Sequence, residues 1–227
     1  MKLLVSVRSV AEARLAAEAG ADFIDLKEPS AGALGALPLA TAQAVVAALR
    51  EQHPRCAISA TVGDFDADAV APVLERVGLT AACGVDYVKV GLAPGATALL
   101  DALARCDAAI VPVFIADAGL DEALIGRALA GPFPAVMLDT QDKRGGSLLQ
   151  RLDDATLRRF VASARGAGRL AGLAGALRED DLPRLRALAP DFAGFRSAVC
   201  SGARTAALDA RRVRSLRERL VAADALA

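Results

Sequence analysis

A single (β/α)₈ TIM barrel, one α/β domain over residues 1–227, is the fold this sequence predicts, on three observations. Eight short, mostly apolar runs alternate with longer amphipathic ones, the pattern of a buried parallel sheet wrapped by helices. The length of 227 residues, 54% of them hydrophobic, suits one large core better than two small ones. The turn after the first run reads Val7-Arg8-Ser9-Val10 and no Walker sequence occurs, so the glycine fingerprint of a doubly wound open sheet is missing and that fold takes second place.

The elements follow in order. KLLVSV (2–7) is the first strand; the N-terminus is too short and too soon charged for a secretion signal. VAEARLAAEAG carries apolar residues at helical spacing and stops at Gly20. DFIDLK (22–27) is the second strand, LATAQAVVAALREQ the next helix, and AISATVG (57–63) the third strand. DYVKVGL (86–92) and AAIVPVFIAD (108–117) are the fourth and fifth. DEALIGRALAG is a helix, followed by AVMLDT (135–140), LAGLAG (170–175) and FAGFRSAV (192–199) as the last three strands. Gly20, Gly84 and Gly131 each follow a helical run and precede a strand, where a C-cap glycine belongs. LDARRVRSLRERL closes the chain as a helix with Val213, Leu216 and Leu220 turned inward and its arginines solvated. No linker, low-complexity segment or charge block divides the chain.

Composition removes several functions. Lys plus Arg and Asp plus Glu are both 27, which leaves no basic field for nucleic acid. No apolar run approaches the ~20 residues of a membrane span. Cys56, Cys83, Cys106 and Cys200 are scattered without a CxxC pair, as expected of reduced thiols in a cytoplasmic protein. With His53 the one histidine, a metal site built on several imidazoles is excluded, and so is a Ser-His-Asp triad unless His53 is its base.

The basic residues split into 23 arginines and four lysines: Lys2, Lys27, Lys89 and Lys143. Arginine stays protonated, so it cannot serve as an amine nucleophile or base, and the retained lysines are expected where arginine fails. Catalytic groups of a barrel lie at the C-terminal ends of its strands. Lys2 is at the wrong end. Lys27 ends the second strand, Lys89 lies within the fourth, and Lys143 follows the sixth. Strand alternation groups Phe23, Asp25 and Lys27 on the inner face and Ile24 and Leu26 on the outer. It also points Lys89 inward with Tyr87 and Gly91, and Asp139 inward opposite to Val136, Leu138 and Thr140. Two inward lysines and two inward aspartates result, with Lys143 in a nearby loop.

Ammonium groups held together disfavour each other's charge, so one amine approaches neutrality. A neutral amine attacks a carbonyl, and the resulting iminium acidifies the neighbouring C–H for a second base. The chemistry is that of a class I aldolase or related carbon–carbon lyase, with Lys27 as the covalent group. The competing reading is that the same residues form buried ion pairs that only hold the barrel mouth. A phosphate site is expected after strands seven and eight, from Gly175 and Ala176 and from Arg196, Ser197 and Gly202, with Arg196 or Arg204 adding charge. The stretch 144–147 is either a mobile lid, a further phosphate contact or a plain loop.

The segments LLVSV, GADFIDLKEPSAGALGA, SATVGD, DYVKVGL, MLDTQDK and LAG, with Cys-Ser-Gly near the end, resemble the (5-formylfuran-3-yl)methyl phosphate synthases. These are also called 4-(hydroxymethyl)-2-furancarboxaldehyde-phosphate synthases. The resemblance runs from the first strand to the loop after the eighth. It implies a lyase that condenses two molecules of glyceraldehyde 3-phosphate into a phosphorylated furan aldehyde for methanofuran-type carriers, with neither a metal nor an organic cofactor. It implies Lys27 as the Schiff-base lysine, Lys89 as the proton acceptor, and Asp25, Asp139 and Lys143 as charged residues around them. The expected sequence starts with Lys27 on one triose phosphate in its dihydroxyacetone-like tautomer. Lys89 moves protons, and the enamine attacks the aldehyde of the second triose. The expected partner is thus a small phosphorylated substrate, with no nucleic acid and no membrane; self-assembly into a homo-oligomer stays open. The rivals are an aldolase of another sugar phosphate and a non-catalytic metabolite-binding barrel.

Overall fold

The computed structural model describes residues 1–66, 68–143 and 145–221. Eight parallel strands close into one barrel in chain order: β1 (Lys2–Val7), β2 (Phe23–Leu26), β3 (Ala57–Thr61), β4 (Tyr87–Leu92), β5 (Ile110–Ile115), β6 (Ala135–Asp139), β7 (Leu170–Leu173) and β8 (Phe192–Phe195). β8 pairs with β1 through Lys2↔Phe192 to Val5↔Phe195, so the sheet has no edge. The helices between them are α1 (Val10–Glu18), α2 (Leu39–Gln52), α3 (Val70–Ala81), α4 (Thr97–Leu103), α5 (Glu122–Ala130), α6 (Leu148–Arg151), α7 (Asp154–Gly166) and α8 (Leu182–Leu188), with α9 (Ala210–Val221) last. Among the described residues no helix is long and apolar enough to cross a membrane.

Local signals account for the helix ends. Ser9, Asp121 and Asp153 each turn a side-chain oxygen to a backbone N–H of the first turn of α1, α5 and α7, satisfying donors that have no partner within the helix. Gly20 and Gly84 adopt positive φ after their helices. Gly131 differs: it closes α5 in an extended conformation at φ −80°, so glycine there is not dictated by a left-handed turn.

The strands' apolar residues divide between two cores. Ile24, Leu26, Val88, Val90, Leu92, Val136 and Leu138 pack outward against the helices. Leu4, Phe23, Val111, Val113, Ile115, Met137 and Phe192 fill the barrel. The expected alternation on β2, β4 and β6 therefore holds. β1 spans the residues read for it, and the other strands are shorter than the runs that predict them. β5 passes at Ala116 into a 3₁₀ turn (Ala116–Ala118), and β8 leaves the ladder at Arg196 before a 3₁₀ turn (Ser197–Val199). Apolar residues of those end segments, Ala116 and Val199, are buried in the core outside the barrel without pairing. All four cysteines are free thiols.

Candidate active site

β2 and β4 aim Asp25 and Lys89 into the barrel from adjacent layers, and both are almost fully buried. Lys89 Nζ donates to Asp25 Oδ1 at 3.0 Å. Ser59 Oγ donates to the same oxygen at 2.7 Å and Ser6 Oγ to Oδ2 at 3.1 Å. Both oxygens of the carboxylate thereby accept and the ammonium is held against it inside the barrel, which meets the requirement that buried charges be paired and hydrogen-bonded.

A second network lies beside it. Lys27, one residue beyond β2, donates from Nζ to Asp139 Oδ2 at 3.1 Å. Lys143 donates to Asp139 Oδ1 and to the Thr140 carbonyl, and the Thr140 amide donates to Asp139 Oδ1 at 2.8 Å. Burial alone would raise the Asp139 pKa, but the ammonium groups of Lys27 and Lys143 outweigh it and hold the carboxyl well below the usual range. Burial pushes the Lys143 amine down to about 8, with Lys27 and Arg204 adding to the effect against the pull of Asp139. Each carboxylate thus serves a different lysine of the pair that the sequence placed together: Asp25 holds Lys89, and Asp139 holds Lys27.

One pocket at the C-terminal end of the barrel collects Asp25, Lys27, Lys89, Asp139 and Lys143. Arg204 reaches its rim and donates to the Gly32 carbonyl on the opposite loop at 3.4 Å. Two carboxylates thus face three ammonium groups and a guanidinium, a surplus that suits an anion. Gly175, Ala176 and Ser197 form the wall from β7 and β8. Gly175 (φ +113°) and Ala176 (φ +48°) are both left-handed, and a Cβ on Gly175 would lie 2.9 Å from the Thr140 side chain. Gly202 stands farther out, lining an open chamber above the pocket with Arg204, Asp64 and Gly32.

Arg196 does not offer its guanidinium to a ligand. Nε donates to the Arg204 carbonyl, Nη1 to Ser6 O and Glu12 Oε2, and Nη2 to Glu12 Oε1 and Ala206 O. All five N–H groups are spent inside the protein, so the side chain ties the loop after β8 to β1 and α1. The cation at the mouth is Arg204 instead. In the stretch 144–147, Arg144 lies outside the described residues. Ser147 is buried at the N-cap of α6 with its hydroxyl on Asp181, a fixed turn at that end. Lys2 sits at the opposite end of the barrel, 5.4 Å above the Phe23 ring.

Ser6 and Ser59 were not among the sequence-derived candidates, although the inward alternation that selects Asp25 and Lys89 also selects them on β1 and β3. Glu12 carries no such signal, because its partner Arg196 is remote in sequence.

The family model described as 4-HFC-P synthase matches residues 3–217. A Methylorubrum extorquens protein, provisionally assigned as a (5-formylfuran-3-yl)methyl phosphate synthase, is 40% identical over 93% of this chain and 88% of its own. The (5-formylfuran-3-yl)methyl phosphate synthase of Methanosarcina mazei is 34% identical, over 92% of this chain and 94% of its own. Among solved structures, phosphoribosyl anthranilate isomerase from Thermus thermophilus superposes with TM-score 0.68 at 17% identity, covering 98% of this chain and 99% of that one. Thiamine phosphate pyrophosphorylase from Pyrococcus furiosus gives 0.67 at 16%, covering 98% and 96%. These last two likenesses concern the fold alone.

Proposed function

Because the chain belongs to the 4-HFC-P synthase family, we propose that this enzyme is a lyase that makes (5-formylfuran-3-yl)methyl phosphate from two molecules of glyceraldehyde 3-phosphate, with Lys27 as the Schiff-base amine. The observation that carries the reading is the pair of buried lysines in one pocket, each on its own carboxylate: Lys27 on Asp139 and Lys89 on Asp25. One amine is then available to hold a substrate carbon while the other exchanges its protons.

The branching of the product sets the order of steps. Its phosphomethyl group hangs on a ring carbon that has two further carbon neighbours, so that ring carbon is C2 of one triose phosphate. C2 is the electrophile, which calls for the dihydroxyacetone-like tautomer bound to Lys27 as an iminium, formed with loss of one water. Lys89, its own proton passed to Asp25, takes the C2 proton of the second triose as its C3 phosphate departs toward Lys143 and Arg204. The terminal carbon of the enol so formed attacks the iminium carbon. An enamine attacking the second aldehyde, the order first expected, would give an unbranched six-carbon chain instead. Elimination then frees Lys27, the remaining hydroxymethyl oxygen closes on the neighbouring ketone, and a second water leaves to give the furan. Two triose phosphates yield the product, one phosphate and two waters. The phosphate that is retained is assigned to the amides around Gly175, Ala176 and Ser197, with Arg204 above them.

The test is to incubate the enzyme with glyceraldehyde 3-phosphate, trap with borohydride and map the adduct, with an untrapped sample followed for furan absorbance. An adduct on Lys27 and a new chromophore are expected, and both are expected to vanish in Lys27→Arg, which keeps the charge. An adduct without a chromophore would reassign the enzyme to an ordinary aldol reaction. Normal turnover by Lys27→Arg would overturn the covalent step.

A further inference from the structure

Between β8 and α9 the chain makes an excursion that brings Arg204 to the barrel mouth. Main-chain bonds close its base: Ser201 N donates to the Ala207 carbonyl at 3.0 Å and Asp209 N to the Val199 carbonyl at 2.8 Å, while Cys200 bridges to Leu208. The span from Gly202 to Ala206 holds neither strand nor helix, so its course depends on other contacts. Two of its carbonyls find them on Arg196. Nε donates to Arg204 O and Nη2 to Ala206 O, both at 2.8 Å. The same guanidinium donates from Nη1 to Ser6 O of β1 at 3.0 Å. It also meets the Glu12 carboxylate as a fork, at 2.6 Å from Nη1 and 3.1 Å from Nη2. Both side chains are only 10% exposed. Glu12 is itself fixed: it stands in the first turn of α1, three residues after the N-cap Ser9, and Arg8 N donates to its Oε2 at 3.0 Å. An acid buried between α1 and the loop after β8 is costly unless its charge is paired. Here the pairing runs from α1 through Arg196 to the main chain of Arg204 itself.

We infer that Glu12 and Arg196 are a positioning pair for substrate phosphate: they hold the main chain of Arg204 so that its guanidinium stands at the pocket. This rests on the reading above in one respect, that Arg204 meets a substrate phosphate. Neither member of the pair touches the ligand. Arg196 has its N–H groups committed within the protein, and Glu12 lies behind it. Their effect comes through order. A loop that must be arranged at the moment of binding weakens affinity, and one arranged on folding does not. With the carbonyls of Arg204 and Ala206 tethered, the backbone beneath the Arg204 side chain is already in place when phosphate arrives.

The experiment measures the affinity of glycerol 3-phosphate by titration calorimetry. This probe has three carbons and a phosphate but no carbonyl, so it forms no iminium and reads the phosphate contact apart from the lysine chemistry. Arg204→Ala is expected to weaken binding by about 10–100-fold, the loss of a charge-assisted hydrogen bond. Glu12→Gln, which keeps the shape of the side chain and removes its charge, is expected to weaken it by about tenfold. The double variant is expected to bind no more weakly than Arg204→Ala alone, because both changes remove the same contact. If Glu12→Gln does not fold, Arg196→Lys replaces it in the cycle: it keeps a cation beside Glu12 but lacks the planar fork that reaches both carbonyls, and the same loss is expected. Unchanged affinity in the folded Glu12→Gln or Arg196→Lys variant would overturn the positioning role. So would losses that add in full in the double variant, the mark of a pair that acts on the pocket independently of Arg204. Unchanged affinity in Arg204→Ala would overturn the phosphate assignment and the positioning role together, whereas the trapped adduct on Lys27 would still form.

Discussion

The carboxylate of Asp139 is shared by two buried ammonium groups, Lys27 and Lys143, so its loss leaves both without their counter-ion. Asp139→Asn is expected to cost about 3–5 kcal/mol of stability, the penalty for an uncompensated buried charge, seen as a lower urea midpoint. A midpoint within experimental error of the parent would mean that neither lysine depends on Asp139 for its charge. Lys143 gives a second prediction. Its amine is pushed down to about 8, so it is charged below that pH and loses its charge as pH rises through it. If it receives the departing phosphate as a cation, kcat/KM falls on an alkaline limb near pH 8. Lys143→Arg, which does not titrate there, should remove that limb; a limb that stays in place belongs to another group. At this scale the sequence was most legible where lysine is rare. With arginine free to fill ordinary cationic positions, Lys27, Lys89 and Lys143 stood out and the structure brings them into one pocket. Arg196 and Arg204 could not be told apart in this way, because what separates them is the set of distant acceptors that consumes one guanidinium and leaves the other at the mouth.

Elements were legible through their outward faces. The helix-packing residues of β2, β4 and β6 alternate cleanly, whereas the ends of β5 and β8 were overestimated because residues such as Ala116 and Val199 are buried in the core outside the barrel without pairing. The loop between β2 and α2, which carries Leu34, offered no periodicity to read, since Leu34 is buried by insertion into the core inside the barrel. Helix ends carry their own prediction. Ala189 closes α8 in the left-handed conformation, φ 49° and ψ 49°, which costs an L-residue about 1–2 kcal/mol. Glycine removes that cost and returns about 0.5–1 kcal/mol through its freer unfolded chain. Ala189→Gly should therefore raise Tm by about 1–4 °C in a chain of this size, measured by calorimetry. A lower Tm would show that the Ala189 methyl contributes more than its backbone costs. Gly91→Ala acts in the opposite sense, because its Cβ must displace Leu34; overpacking of this kind costs about 1–3 kcal/mol.

At the scale of the molecule, closure of β8 on β1 makes the two ends of the chain interdependent, and α9 seals the seam from outside. Val213, Leu216 and Leu220 are buried there, and Arg217 reaches across to Asp22 and the Gly20 carbonyl. Leu216→Ala should cost about 2–5 kcal/mol while leaving KM unchanged, because α9 lies outside the barrel and away from its mouth; a raised KM in the folded variant would mean that the seam controls the pocket. The distribution of lysine over this architecture has a practical consequence. Lys27, Lys89 and Lys143 are enclosed, while Lys2 is exposed at the far end of the barrel. Amine-reactive supports and dyes would therefore couple through one face alone, fixing every molecule in a common orientation with its working end turned to the solution.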